Sequence, residues 1–216
     1  MTLSKDKLNE RLNCKEIDNA IVVTPILDKK NQVGICGIDV RLGKQFIVFN
    51  ENVQDVFSFD IEKGENINVY QDEIVLAIGS PIIIHPGKVI IASTLEYVSI
   101  PDDLECQVEG RSSWARLGLV IATASTIEAG FKGVITLELS NIGKIPITLY
   151  PGLRIAQLIF HTIDRRSSND VILSEEDSTQ KYEKKYIHNI GPKSSKILED
   201  KDADYFIRKY NGVLPE

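Results

Sequence analysis

The sequence predicts an all-β chain with a few short helices, folded as a distorted barrel or jelly-roll-like sandwich. Short β-branched runs recur along it, each ended by Pro, Gly, Asn or Asp. The clearest run has period 2: Ile38, Val40 and Leu42 alternate with Asp39, Arg41 and Gly43. One pattern also occurs twice, in residues 81–92 and 146–156, as a β-run, a Pro-Gly turn and a second β-run. Pro presets the negative φ of a type II turn and Gly supplies the positive φ that follows.

In chain order, residues 3–12 read as an amphipathic helix, with Ser4 as N-cap, Leu8 and Leu12 at helical spacing, and Asn13 closing it. Residues 20–27 turn β-like through Ile21, Val22, Val23 and Ile26, and residues 28–31 form a polar turn. Residues 37–49 read as a half-buried strand. Its polar face carries Asp39 and Arg41, either solvated or bridging neighbouring chains. Residues 51–72 are weakly patterned and read as short strands, and the two Pro-Gly segments read as related hairpins. Residues 93–100 form another strand, stopped by Pro101-Asp102-Asp103. Past Phe160, residues 164–185 are polar and charge-rich and read as a mobile loop, and residues 202–210 as a short terminal helix. A chain of 216 residues fits one domain with a tail, here residues 1–190 and 191–216.

Composition narrows the function classes. A net charge of −6 argues against a nucleic-acid platform, which is normally basic, but leaves room for a local Arg/Lys cluster that holds a small anion. The most apolar region, residues 74–92, is broken by Pro81, His85, Pro86 and Lys88, so it reads as strands and a turn rather than a membrane span. The N-terminus lacks the apolar run of a signal peptide. Cys14, Cys36 and Cys106 form no CxxC pair and read as small buried hydrophobes in a reducing, cytoplasmic setting. His85, His161 and His188 read as surface or turn residues.

Chemistry concentrates in residues 110–138. Gly110-Arg111-Ser112-Ser113 puts a Gly, a permanent cation and two hydroxyls in succession. Gly allows close backbone approach to a ligand, and the planar Arg fork suits phosphate oxygens. Glu128 and Glu138 follow within the same stretch. From spacing alone Glu138 is a solvent-facing residue, because Ile135, Leu137 and Leu139 share one strand face and Val134, Thr136 and Glu138 the other.

Gly110-Arg111-Ser112-Ser113-Trp114-Ala115-Arg116-Leu117-Gly118-Leu119 resembles the second motif of the dCTP deaminases, in the dUTPase-like trimeric superfamily. Residues 37–43, 129–138, 154–158 and 191–196 match further motifs in the expected order. The resemblance implies a dUTPase-like fold, a homotrimer with sites at subunit interfaces, and for Asp39 and Arg41 a structural role in shaping that interface near the site. It implies metal-independent hydrolytic deamination of dCTP to dUTP and ammonia. Glu138 would shuttle protons, Ser112 orient the water, and Arg116 hold Glu138 and assist the leaving group. Substrate contacts would come from Arg111, Ser113, Trp114, Ala115, Ala124, Glu128, Thr136, Leu137, Gln157, Lys185 and Asn189, with the tail closing over the nucleotide. Mg²⁺ would arrive with the triphosphate. Zinc is not expected, because the H-x-E and P-C-x-x-C signature of zinc deaminases is absent. Nucleic acid and membrane are not implied as partners.

The chain departs from the family pattern at several points. Glu128 stands where Asp is usual and Asn189 where Gln is usual; Asp177 and Ser178 occupy the place of a Tyr. The loop before Thr123 is one residue shorter and lacks a His, which speaks against feedback by dTTP. Two other readings stay open: a bifunctional enzyme that carries dUTP on to dUMP, which Glu128 in place of Asp speaks against, and a catalytically silent nucleotide-binding regulator. A plain dUTPase is disfavoured by Glu138, where such enzymes carry an apolar residue.

Overall fold

The computed structural model describes residues 1–50, 70–123, 125–164 and 190–195. The strands are β1 Val22–Thr24, β2 Ile38–Phe49, β3 Gln71–Val75, β4 Ile82–Ile84, β5 Val89–Ser99, β6 Leu104–Gly110, β7 Leu119–Ile121, β8 Thr126–Ile127, β9 Lys132–Asn141, β10 Ile147–Leu149 and β11 Arg154–Thr162. The helices are α1 Lys5–Leu12, α2 Lys29–Gln32 and α3 Ser112–Ala115, with a 3₁₀ turn at Ile17–Asn19. The mainly β class expected from period and punctuation is the observed one. The expectations for residues 51–69 and 165–189, for the terminal helix and for His188 lie outside the described residues.

The main sheet runs β7-β9-β5-β2-β11-β6-β8, with β1 added on β5 and β3 on β2. Every pairing is antiparallel. β2 joins the two halves. Its first residues pair with β11 (Ile38↔Leu158, Arg41↔Arg154), and its later ones pair with β5 (Phe46↔Ala92) and β3 (Phe46↔Ile74). The changeover falls at Gly43, where a Cβ would lie 2.8 Å from Ser93 Oγ and 2.9 Å from Ser93 O. A larger residue would push the two strands apart at the bend of the barrel.

The repeated Pro-Gly segments form corners rather than hairpins. β4 and β10 pair with each other, Ile84↔Ile147, in a separate two-stranded sheet. After each, Gly87 (φ +77) or Gly152 (φ +92) carries the chain into β5 or β11 of the main sheet. The local symmetry seen in the sequence is therefore real, but its axis runs between the two short strands.

The core is built from the inward residues of these strands. Phe46, Phe160, Ile38, Leu42, Leu104, Leu137, Leu139 and Leu149 are fully buried, and Leu8 brings α1 onto the same cluster. Arg11 of that helix pairs with Asp103, which ties α1 to the start of β6. α1 begins after Ser4 and ends at Asn13 as expected, although the Ser4 hydroxyl makes no capping bond. The polar turn at 28–31 is instead the start of α2, whose N-cap Asp28 accepts from Asn31 N at 3.2 Å.

Several polar residues were misplaced by simple alternation. Asp39 is 8% exposed and bridges to Arg154 within its own chain rather than facing solvent. His161 lies inside β11 and packs its ring against Thr2 Oγ1 at 3.2 Å, because the N-terminal residues cover that strand. Cys106 is buried, Cys14 half-buried and Cys36 exposed, so only Cys106 behaves as a buried hydrophobe. Burial pushes its thiol pKa far up.

Candidate active site

The anion-binding turn of the sequence is a helical one. β6 ends at Gly110 against Ala156 of β11. Arg111 stays extended (φ −75°, ψ 131°) as N-cap, and residues 112–115 coil into α3. This geometry points the Ser112 and Arg116 side chains the same way, at i and i+4. Arg116 Nη1 donates to Ser112 Oγ at 3.2 Å, and both residues are exposed. Ser113 and Ala115 are exposed as well.

Two contacts fasten the turn to β11 and a third ties it to β2. Trp114 Nε1 donates to Arg154 O at 3.0 Å, and Arg111 Nη1 to the same carbonyl at 3.4 Å. Arg111 Nε also lies 3.7 Å from Asp39 Oδ2. Arg154 Nη1 reaches that oxygen at 3.2 Å and Asn31 O at 3.0 Å. Arg41, the β2 partner of Arg154, donates to Gly152 O at 2.8 Å. Two guanidinium groups thus gather on the Asp39 carboxylate, in a chain of net charge −6. The local excess of positive charge suits a phosphate group.

Glu138 lies on β9, on the edge away from β5. Its N–H donates to Thr123 Oγ1 at 3.0 Å, and its carbonyl accepts from Ala122 N at 2.8 Å. The strand alternation turns the Thr136 backbone groups the same way and the Leu137 groups toward Ala92 of β5. The Leu137 side chain is fully buried. Glu138 is only half-buried, yet its Oε2 is closed off from water and has no hydrogen-bond partner among the described residues. Ile135, Leu137 and Leu139 face the core as the period required.

The remaining predicted residues are scattered around these two centres. Gln157 stands between Asp39 and Glu109 in the sheet and packs over Gly37, where a Cβ would lie 2.8 Å from its Cγ. Glu128 is exposed in the turn before β9, its carbonyl accepting from Phe131 N at 3.2 Å. Ala124, Lys185 and Asn189 lie outside the described residues. Among the described residues of one chain, no hydrogen bond joins Glu138 to Ser112 or Arg116. None of the described His, Cys, Asp and Glu residues forms a group of three that could hold a metal ion.

Sequence reasoning missed Thr123 and the Asp39–Arg111–Arg154 bridge. Thr123 carried no signal beyond its place next to the motif. Asp39 and Arg154 both lay inside matched motifs, and their opposite charges were the available clue.

A family model described as dCTP deaminase-like matches residues 3–163. The chain belongs to the dCTP deaminase-like family. A "dCTP deaminase, dUMP-forming" of Methanosphaera stadtmanae is 40% identical over 190 residues, spanning 86% of this chain and 90% of that protein. One of the same name from Halobacterium salinarum is 37% identical over 94% of this chain and 97% of its own length. A "dCTP deaminase" of Haloarcula marismortui is 37% identical over 84% of this chain and 89% of its own. The crystal structure of 2'-deoxycytidine 5'-triphosphate deaminase from Agrobacterium tumefaciens shares the fold, with a TM-score of 0.54 at 23% identity. That likeness covers 74% of this chain and 46% of the other. Among the described residues no helix is long and apolar enough to cross a membrane.

Proposed function

We propose that the protein deaminates dCTP, releasing ammonia by hydrolysis of the exocyclic C–N bond. The observation that carries this reading is the Glu138 carboxylate. A carboxylate oxygen shut away from water without a donor is costly, so such a group normally has a partner that arrives with assembly or ligand. Here it sits beside Thr136, at a strand edge whose backbone groups can meet the edge of a base. The family relationship makes that base a cytosine.

In the proposed reaction a water oxygen bonds to C4 of the ring while Glu138 takes its proton. Glu138 then delivers a proton to ring N3, and the tetrahedral carbon is left with one hydroxyl and one amino group. Transfer of the hydroxyl proton to the amino group releases ammonia and leaves the uracil carbonyl. Ser112 Oγ orients the water, and Arg116 holds Glu138 and assists the departing amino group. Arg111, Ser113 and Gln157 hold the phosphates, and Mg²⁺ enters as part of the nucleotide. Lys185 and Asn189 act from the tail. In the trimer that the family resemblance implies, the site combines Ser112 and Arg116 of one subunit with Glu138 of another; their lack of a hydrogen bond to Glu138 within one chain supports this reading. The three free cysteines suit a cytoplasmic setting.

The test is Glu138→Gln. The variant is expected to fold and to lose ammonia release by about a hundredfold to ten-thousandfold. Turnover near the wild-type rate removes the assignment. A second reading, in which dUTP is carried on to dUMP and pyrophosphate, is favoured by the relatives named dUMP-forming. Separating the products of dCTP decides between them: accumulating dUTP supports deamination alone, and dUMP with pyrophosphate supports the bifunctional course.

A further inference from the structure

We propose that Asp39 is a positioning residue of the phosphate site, acting through Arg111; this rests on the reading of Arg111 as a phosphate ligand. Asp39 is a buried strand residue, 8% exposed, and its Oδ2 serves two guanidinium groups. One is Arg154, held a second time by Asn31 O at 3.0 Å and therefore fixed. The other is Arg111, met at Nε, while Nη1 of the same fork rests on Arg154 O at 3.4 Å. Asp39 thus faces the Nε side of the fork as an ion pair, and the Arg154 carbonyl takes one N–H of Nη1. Among the described residues, Nη2 is left for an incoming anion. Both arginine side chains are 32% exposed, so a ligand from solvent can reach them.

The physical benefit is pre-organisation. A free Arg side chain carries about 2 kcal/mol of rotamer entropy, part of which is lost when it clamps a ligand. A side chain already held loses less on binding. The same arrangement has an electrostatic cost, because a carboxylate beside the fork weakens its pull on phosphate. The two effects predict opposite signs. If Asp39 acted only as a charge, Asp39→Asn would tighten polyphosphate binding. If it positions Arg111, the same change loosens it.

The experiment titrates dCTP, tripolyphosphate and deoxycytidine into the full-length protein by calorimetry, for wild type, Asp39→Asn, Arg111→Gln and the double variant, with Tm measured for each. Asp39→Asn is expected to weaken dCTP and tripolyphosphate by about tenfold, the size of one misaligned charge-assisted hydrogen bond. Deoxycytidine binding should not change. On the Arg111→Gln background the second substitution should add less than about twofold, because the residues act as one unit. Unchanged or tighter tripolyphosphate binding by Asp39→Asn overturns the proposal, and so does a loss that adds in full to that of Arg111→Gln. Should Asp39→Asn fail to fold, Asp39→Glu with a wild-type Tm decides: its displaced carboxylate should still weaken tripolyphosphate, and equal binding overturns the idea. A wild-type protein that binds tripolyphosphate but not dCTP defeats the deaminase reading, while Asp39 is still judged on tripolyphosphate. Binding of neither defeats both.

Discussion

Glu96 is a fully buried carboxylate in the middle of β5. Gln32 Nε2 donates to its Oε1 at 2.9 Å and Arg41 N to its Oε2 at 2.8 Å. Burial is the main cause that raises its pKa above the ordinary value of 4.5, against the opposing pull of these donors. The unfolded chain therefore releases this proton at lower pH than the folded one. Between the two pKa values the folded state holds more protons, so this group makes stability fall as pH rises from about 4.5 through that window. Glu96→Gln should remove that fall and be at least as stable as wild type at neutral pH. Its carbonyl can keep the Arg41 bond, and Gln32 can turn its Oε1, now buried without a partner, toward the new amide. Glu96→Ala should cost about 3 kcal/mol, because both donors lose their acceptor. Urea unfolding of the three proteins across acid and neutral pH checks this; an unaltered pH slope in Glu96→Gln would contradict it. The position was legible in the sequence. Thr94, Glu96, Val98 and Ile100 share one parity and are all buried. A charge in a strand invites a solvent-facing reading, and only the parity with Val98 and Ile100 corrects it. Glu138 shows the converse, since its parity was readable but its closed-off oxygen depends on neighbouring segments that no local pattern encodes.

Elements hold the site through a few points of close approach. The chain leaving α3 turns at Gly118 (φ +95) and meets the loop after β9. A Cβ on Gly118 would lie 2.5 Å from Gly143 Cα, and one on Gly143 2.8 Å from Leu117 O. Asn141, fully buried, locks this junction: Nδ2 donates to Ile84 O and Ile145 O, both at 2.8 Å, and Oδ1 accepts from Gly143 N at 2.9 Å. Gly118→Ala combines an unfavourable φ with a backbone clash, so it should cost more than about 2 kcal/mol. It should also displace Arg116, two residues away, and so lower kcat beyond what the stability loss explains. Gly79→Ala is the control. That residue has a comparable φ of +92 but open space around it, so the strain comes without the clash and without effect on turnover. Equal kcat losses in the two would break the link between this junction and the site. At this scale the Pro-Gly corners were readable because Pro and Gly each fix a dihedral. The pairing of β4 with β10 was not, since two three-residue strands far apart in sequence carry no register signal of their own.

The molecule as a whole leaves its chemistry divided. The Ser112–Arg116 pair is exposed and, among the described residues, makes no hydrogen bond to the Glu138 carboxylate of the same chain. Next to α3, the side chains of Leu117, Ile142 and Ile145 are 48%, 70% and 57% exposed around the Gly118–Gly143 contact. An apolar group beside half a site is what an isologous or ring-closing contact would cover. The trimer drawn from the family resemblance can be tested by complementation. Glu138→Gln and Ser112→Ala chains are each expected to be inactive as homomers. They are then mixed in equal amounts, unfolded and refolded together. If each site takes Ser112 from one subunit and Glu138 from another, random mixing leaves about a quarter of the sites with both native residues. Ammonia release should then return to about a quarter of the wild-type rate. If a single chain supplies both groups, every chain in the mixture lacks one of them and activity stays at the background of the separate variants. That outcome would place the whole site within one subunit and return Oε2 of Glu138 to the status of an unexplained buried group.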